Sequence, residues 1–108
     1  MKAIVVFRGH NMICGVFTTR ESLVEYMKGV LGQWMDDMHN RVMVHIKVYD
    51  DHLSIQYRDG KAHFTFQETE LDSLSPSFTD VTKDIIPLII PLIEEYEWTI
   101  DDQRSVKP

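Results

Sequence analysis

An imidazole beside two carboxylates is the first feature of this sequence that could do chemistry. Asp50, Asp51 and His52 are consecutive, and such groups can act as general acid and general base in a hydrolase. Residues that are adjacent in sequence do not by themselves have the geometry of an active site, so we assign no catalytic residue. A small hydrolase is therefore the least favoured of the functions considered below. The single cysteine, Cys14, lies in an apolar stretch, where a thiol is usually a small buried side chain.

Five histidines raise the question of a bound metal ion. His45 and His63 are predicted to lie two strands apart in one sheet, about 10 Å between backbones. This separation is too large for both imidazoles to bind one zinc ion, because zinc–nitrogen bonds are about 2 Å long. The sequence contains no His-Glu-x-x-His pattern, no paired cysteines and no calcium-binding loop. We therefore expect no metal and no other cofactor, and we favour a non-enzymatic protein.

Positively charged and histidine side chains recur on one face of a predicted sheet. Apolar and polar residues alternate through residues 42–49, 53–58 and 62–67, as in antiparallel strands with one buried face. The polar face would carry His45, Lys47, Arg58, Lys61 and His63. The chain has 17 acidic and 11 basic residues and a net charge of −6, so a basic face could bind a small anion or a nucleotide. The neighbouring aromatic side chains alternate inward, so a stacking surface for nucleic acid is not indicated.

Turn residues set the register of this predicted meander of three antiparallel strands. Asp59-Gly60 is a strong signal for a two-residue hairpin loop, and Asp50-Asp51 is a weaker one. Loops at these positions predict the apolar pairs Val48 with Leu53, Ile46 with Ile55, Leu53 with Phe66 and Ile55 with Phe64. On the polar face they predict the rows Lys47–Ser54–Thr65 and His45–Gln56–His63. Each register keeps the apolar side chains on one face, whereas a slip of one residue would expose half of them.

A hairpin and a helix are predicted before the meander. Lys2–Arg8 and Met12–Phe17 are rich in β-branched and aromatic residues, and residues 9–11 (Gly-His-Asn) suit a turn. Both strands are apolar at nearly every position, which predicts a central place in the sheet with both faces covered. Thr18 and Glu21 then fit a capping box. The apolar residues that follow at three- and four-residue steps predict an amphipathic helix of about five turns.

A second helix is predicted near the C-terminus, from about Phe78 to Trp98. Pro87 and Pro91 interrupt it, and each removes a backbone donor and clashes with the preceding turn. We therefore expect this helix to be kinked or broken at the two prolines.

The last third of the chain is both apolar and acidic. Residues 68–102 carry ten acidic residues and one basic residue, and Ile85 to Ile93 is apolar on every side of a helix. So much apolar surface predicts either deep burial, threaded between the sheet and the first helix, or contact with a partner. A protein target or a second copy in a homodimer would cover it. The predicted contact residues are Ile86, Ile89, Ile90, Ile93, Glu94, Glu95, Glu97 and Trp98.

These elements predict an α+β fold in the order ββα-βββ-α, with the helices packed on one face of an antiparallel sheet. We expect one domain over residues 1–98 and a flexible C-terminal tail over residues 99–108. We expect a cytoplasmic protein without membrane contact. The sequence has a single cysteine, lacks a basic N-terminal segment before an apolar stretch, and has a longest apolar run of about half a membrane span.

The first part of the chain also resembles a recurrent arrangement. Ile4 to Phe17 followed by Thr18 to Met27 is similar to the hairpin-then-capped-helix start of many small phage-encoded proteins. The resemblance covers residues 4–31, and no catalytic or binding residue carries over from it. It implies a host-takeover or anti-defence protein in the manner of anti-CRISPR proteins, acting in the host cytoplasm. The leading hypothesis is therefore a small acidic protein that inhibits a host or defence enzyme by covering its surface, and the alternative is a small-ligand or nucleotide-binding module on the basic face.

Overall fold

The computed structural model describes residues 1–9, 11–38, 45–57, 60–72, 74, 77–95 and 99–105. Within these residues the chain forms seven strands and two helices, which confirms the predicted α+β class. The elements are β1 (Lys2–Arg8), β2 (Met12–Phe17), α1 (Arg20–Met38), β3 (His45–Val48), β4 (Leu53–Tyr57), β5 (Gly60–Glu70), β6 (Phe78–Asp80), α2 (Thr82–Glu95) and β7 (Thr99–Asp102).

The strands form one sheet in the order β2-β1-β5-β4-β3-β7, and β6 also pairs with β5. All pairs are antiparallel except β3 with β7, which is parallel. The long β5 organises the sheet, because β1 lies along one of its edges while β4 and then β6 pair along the other.

The core lies between one face of this sheet and the two helices. Alternate residues of β5, such as Phe64 and Phe66, are fully buried beside Leu23 and Met27 of α1 and Ile89 of α2. Strand alternation therefore leaves the intervening β5 side chains on the opposite face, away from the helices. This second face carries the candidate site described below.

The β1–β2 hairpin is confirmed, and its turn uses Gly9 at a φ of 69°, a conformation that glycine adopts without steric cost. Its predicted central position is wrong for β2, which is the edge strand of the sheet. β5 occupies the other side of β1, and Met12, Ile13 and Val16 of β2 remain exposed. Apolar composition alone therefore overestimated how well this strand is covered.

The first helix begins one residue later than the predicted capping box implies. The Ser22 backbone N–H donates to the Thr19 hydroxyl oxygen at 3.1 Å, and the Leu23 N–H donates to the Thr19 carbonyl at 3.3 Å. Thr19 is therefore the residue that caps α1, in place of Thr18.

The predicted meander is confirmed as β3, β4 and β5, but one of its two registers differs. Val48 pairs with Leu53 and Ile46 with Ile55, as expected. On the other side, Leu53 pairs with Phe64 and Ile55 with Ala62, so β5 is displaced by two residues from the predicted pairing. A displacement of two residues keeps the same side chains buried, which is why the hydrophobic pattern could not distinguish the two registers. The predicted turn residue Asp59 lies outside the described residues.

The C-terminal helix is shorter than predicted and is not broken. Phe78–Asp80 is a strand, and α2 runs through Pro87 and Pro91. Both prolines are exposed and lie four residues apart, on one side of the helix. The backbone carbonyls that lose their helical donors therefore face solvent, where water can replace the missing hydrogen bonds.

The residues predicted as a flexible tail begin with a strand. Thr99–Asp102 forms β7 and pairs with β3. Beyond it, Arg104 makes an ion pair with Asp102 at 2.8 Å, and the Ser105 hydroxyl donates to Asp50 at 2.6 Å. These contacts attach residues 99–105 to the sheet, and residues 106–108 lie outside the described residues.

Candidate functional site

A cleft of about 730 Å³ lies where the β1–β2 turn meets β5 and the β3–β4 turn. Lys61, His63 and Thr65 line it from the face of β5 that points away from the helices. The remaining described lining residues are Arg8, Gly9, Met12, Asp51, His52 and Ala62. Its volume falls within the range of small-molecule sites, about 300–1,000 Å³.

The backbone holds two walls of this cleft together. The Gly9 N–H donates to the His63 carbonyl at 2.8 Å, which ties the β1–β2 turn to β5. The Tyr49 N–H donates to the His52 carbonyl at 3.0 Å and closes the turn between β3 and β4. Both turns are therefore anchored in the main chain, and the side chains that they present to the cleft start from defined backbone positions.

Three rings stack in parallel beside the cleft. Tyr49 and His52 have ring centroids 4.3 Å apart at 16°, and His52 and His63 are 5.0 Å apart at 3°. The rings come from the residue after β3, from the turn that follows and from β5, so the sheet register brings them together. Because His52 and His63 also line the cleft, a ligand there would meet aromatic rings as well as polar groups.

A carboxylate orients the central ring of this stack. His52 Nδ1 lies 2.7 Å from Asp51 Oδ1. Since an ionised carboxylate only accepts hydrogen bonds, Nδ1 is the donor and the ring is held in one orientation.

The cleft is locally positive on a strongly acidic protein. Arg8 and Lys61 are exposed cations, and Asp51 is the single acidic residue among the described lining residues. With both histidines neutral, the described lining has a formal charge of +1 on a chain of net charge −6. Such a site favours an anionic ligand.

The structure divides the predicted basic face. Lys61 and His63 lie in the cleft, whereas His45 and Lys47 lie two strands away on β3, outside its described lining. Because β5 is displaced by two residues, the observed rows are His45–Gln56–Lys61 and Lys47–Ser54–His63, and the predicted rows are corrected accordingly. Arg58 lies outside the described residues.

Sequence reasoning missed several members of the site. Arg8 lies at its rim because β1 pairs with β5, and this long-range pairing has no local signal. Its partner Phe64 is a core residue, so the pairing directs the Arg8 side chain to the helix face, toward Tyr26 of α1. Tyr49 fits the strand alternation of residues 42–49, which gives no sign of its place in the ring stack. His52 was noted for its carboxylate neighbours, but its stacking on His63 depends on the strand register.

The predicted acid–base group at residues 50–52 does not form one unit. Asp51 contacts His52, but Asp50 accepts hydrogen bonds from the Ser105 backbone N–H at 3.2 Å and from its hydroxyl at 2.6 Å. These donors lower the pKa of Asp50 below its ordinary value of 3.8, and the nearby Lys83 and Arg104 act in the same direction. Asp50 therefore anchors the C-terminal segment.

The residues predicted to contact a partner fall into three groups. Ile86, Ile89 and Ile93 are at most 1% exposed in the core of a single chain, so they form no accessible surface and are corrected to core residues. These three side chains are buried between the sheet and the helices, which was the predicted alternative to contact with a partner. Ile90 is half-buried, Glu94 and Glu95 are exposed, and Glu97 and Trp98 lie outside the described residues.

A smaller groove of about 340 Å³ lies between α2 and the C-terminal segment. It is lined by Pro87, Ile90, Pro91, Glu94, Ile100, Asp102 and Arg104. This groove contains Ile90 and Glu94 of the predicted contact surface.

Comparison with protein-family models, curated proteins and solved structures finds no match to this chain. No helix in the described part of the chain is both long and apolar enough to cross a membrane. Among the described residues, no three His, Cys, Asp or Glu side chains are grouped in a way that could hold a metal ion.

Proposed function

We propose that this protein binds a small anionic ligand that carries a flat ring, such as a nucleotide, in the cleft between the β1–β2 turn and β5. The observation that carries the proposal is the combination of an exposed cation, Lys61, with two stacked imidazoles, His52 and His63, around one cleft. Lys61 would bind a phosphate, and the ring stack would contact a base through His63, its end ring on β5.

Neither the positive charge of the cleft nor its aromatic rings alone indicate the ligand. A site for a bare inorganic anion has no need of aromatic rings, and a site for an uncharged ring has no need of Lys61. Because the whole chain is acidic, positive charge at this place opposes the general trend of the surface. A ligand with both a negative group and a planar group uses both Lys61 and the ring stack.

Calorimetric titration with AMP, adenosine and inorganic phosphate tests this proposal. AMP is expected to bind more tightly than either of its parts. Lys61→Glu should weaken AMP binding by about tenfold or more, because a hydrogen bond to a charged group contributes about 1.5–3 kcal/mol and 1.4 kcal/mol is a factor of ten. His63→Ala should weaken AMP binding but leave phosphate binding unchanged.

Lys47→Glu provides the matched control, because Lys47 lies on the same sheet face two strands from the cleft and the change in net charge is identical. It should leave AMP binding within about twofold, since charges two strands apart, about 10 Å, are largely screened at physiological salt. Equal losses in the Lys61 and Lys47 variants would mean that general charge, and not the cleft, drives binding. Absence of AMP binding at millimolar concentration would refute the proposal.

A second candidate function is binding of a basic protein surface by the groove between α2 and the C-terminal segment. Ile90 and the exposed Pro87 and Pro91 offer apolar contacts there, and Glu94 with the neighbouring Glu95 adds negative charge. In this proposal the protein is the phage-encoded cytoplasmic inhibitor suggested by the resemblance of residues 4–31, and it acts by covering its target.

Charge reversal tests the second candidate. Glu94→Lys with Glu95→Lys should abolish capture of a target from host lysate at low salt, whereas Glu21→Lys with Glu25→Lys on α1 makes the same charge change elsewhere and should not. Identical sets of captured proteins for the two variants, identified by mass spectrometry, would eliminate this surface.

A further inference from the structure

The edge strand β2 is open to pairing along its outer side. β1 pairs with one edge of β2, and within the described residues no strand pairs with the other. Its outward backbone N–H and C=O groups are therefore available to another strand, which is the situation that most edge strands are built to avoid.

β2 lacks the charged residues and prolines that often protect an edge. Its six residues, Met12–Phe17, include no charge and no proline, and Met12, Ile13 and Val16 are 61%, 56% and 52% exposed. The opposite edge strand, β7, carries Asp101 and Asp102 among its four residues. One edge of the sheet is thus protected by charge and the other is not.

An irregularity in the β1–β2 pairing places the two exposed β-branched side chains of β2 together. Val16 pairs with Val5 and Ile13 with Phe7, and the register shifts between Val6 and Phe7. Because Val5 and Phe7 are two residues apart on one strand, Ile13 and Val16 share a face of the sheet despite being three residues apart. This face is the one without helices, and Ile13 and Val16 each remain about half exposed there.

The charge distribution also favours contact between copies at this edge. The first 20 residues contain Lys2, Arg8 and Arg20 and no acidic residue, although the chain has 17 acidic residues in total. The carboxylates that make the protein acidic therefore lie outside the hairpin, and β2 itself brings no acidic side chain to a contact between two copies.

We infer that a second copy of this chain pairs with β2 in antiparallel orientation, which joins the two sheets across a two-fold axis. With the axis between Cys14 and Gly15, Ile13 of each copy lies opposite Val16 of the other, and Met12 lies opposite Phe17. The pairing is self-complementary, as a two-fold interface requires. Cross-strand pairing of Ile13 with Val16 covers the side chains that a single chain leaves exposed.

This interface is separate from the hydrophobic segment that first suggested a dimer. Ile86, Ile89 and Ile93 are buried within each chain and take no part in it. The inference is also independent of ligand binding in the cleft, because β2 pairing uses the main chain and two apolar side chains.

Sedimentation equilibrium on the full chain tests the inference. The native protein is expected as a dimer of the 12.7 kDa chain at micromolar concentration. Val16→Lys and Ile13→Lys should each raise the dimer dissociation constant by about a hundredfold or more, because each removes two apolar side chains from the interface and places two like charges there. Leu74→Lys is the control, since Leu74 is fully exposed outside the strands, and it should leave the constant unchanged.

Hydrogen exchange on the unmodified chain gives a second readout that does not depend on how the variants fold. Exchange of the β2 backbone amides should slow as protein concentration rises, while exchange in β7 should not change. A native monomer across the micromolar range overturns the inference, and so does a dimer that persists in both lysine variants. A monomer whose β2 amides slow only when another protein is added would instead assign the edge to a foreign strand and would equally overturn it.

Discussion

Thr82 at the start of α2 provides a demanding test of how the helix is attached to the sheet. Its side chain is 0% exposed, and its hydroxyl accepts a hydrogen bond from the Phe66 N–H at 2.9 Å and donates to the Phe66 carbonyl at 3.3 Å. One hydroxyl therefore joins the first turn of α2 to the middle of β5. Thr82→Val keeps the shape of the side chain and removes both hydrogen bonds.

The expected cost follows from which groups lose their partners. The Phe66 carbonyl retains the Val81 N–H at 2.9 Å, so it stays hydrogen-bonded in the variant. The Phe66 N–H loses the Thr82 hydroxyl, and a buried donor without a partner costs about 1–3 kcal/mol. For a domain of this size, each 1 kcal/mol lowers Tm by about 4–8 °C.

Thermal unfolding of the wild type, Thr82→Val and Thr82→Ser, followed by circular dichroism, measures this cost. The serine variant keeps the hydroxyl and loses a methyl group, so its Phe66 amide should remain protected from hydrogen exchange while that of the valine variant should exchange faster. A valine variant within about 0.5 kcal/mol of the wild type, the usual range of neutral surface changes, would refute the assigned hydrogen bonds. Equal loss of Phe66 protection in both variants would refute them as well.

Two further predictions concern the ends of the fold. Because the Ser105 hydroxyl and N–H hold the pKa of Asp50 below 3.8, their contribution to stability is present above pH 3.8 and is lost as the pH falls through the folded-state pKa. Ser105→Ala should move that pKa back toward 3.8, as measured by NMR titration, and a native Asp50 that already titrates at 3.8 would contradict the contact. Ile89→Ala should lower the free energy of unfolding by about 2–5 kcal/mol in chemical denaturation, because Ile89 is 1% exposed. Ile90→Ala should lower it by less. Equal small losses in the two variants would contradict the burial of Ile89.

Local patterns predicted most elements of the fold. Alternation identified β3, β4 and β5, and turn residues identified the β1–β2 hairpin. The prediction was less complete where distant parts of the chain meet. The pairing of β1 with β5 and the parallel pairing of β7 with β3 join residues far apart in sequence, and neither has a local signature.

The apolar run from Ile85 to Ile93 shows how composition can mislead. A segment that is apolar on every side suggested an exposed patch, but the two prolines lie on its solvent side and the isoleucines at positions 85, 86, 89 and 93 face the core. Proline counts as apolar in composition, yet it is common on protein surfaces. Counting it as polar would have restored an ordinary amphipathic stripe.

The candidate site depended on details that the sequence could not supply. Lys61 and His63 were identified by alternation, but their neighbours depend on a register that the hydrophobic pattern left open by two residues. With the predicted register, His63 would face Gln56, whereas the observed register places it opposite Ser54 and beside His52. The stacked rings therefore appear only once the strands are correctly paired.

The binding of a flat anion in the cleft is tested most directly by an NMR titration of the isotope-labelled protein with AMP. Binding at the proposed site predicts that the largest saturating changes in amide shifts occur at Gly9, His52 and residues 61–65, with little change in α2. Changes centred on the groove beside Pro87 and Ile90, or no saturating change at millimolar AMP, would contradict the account.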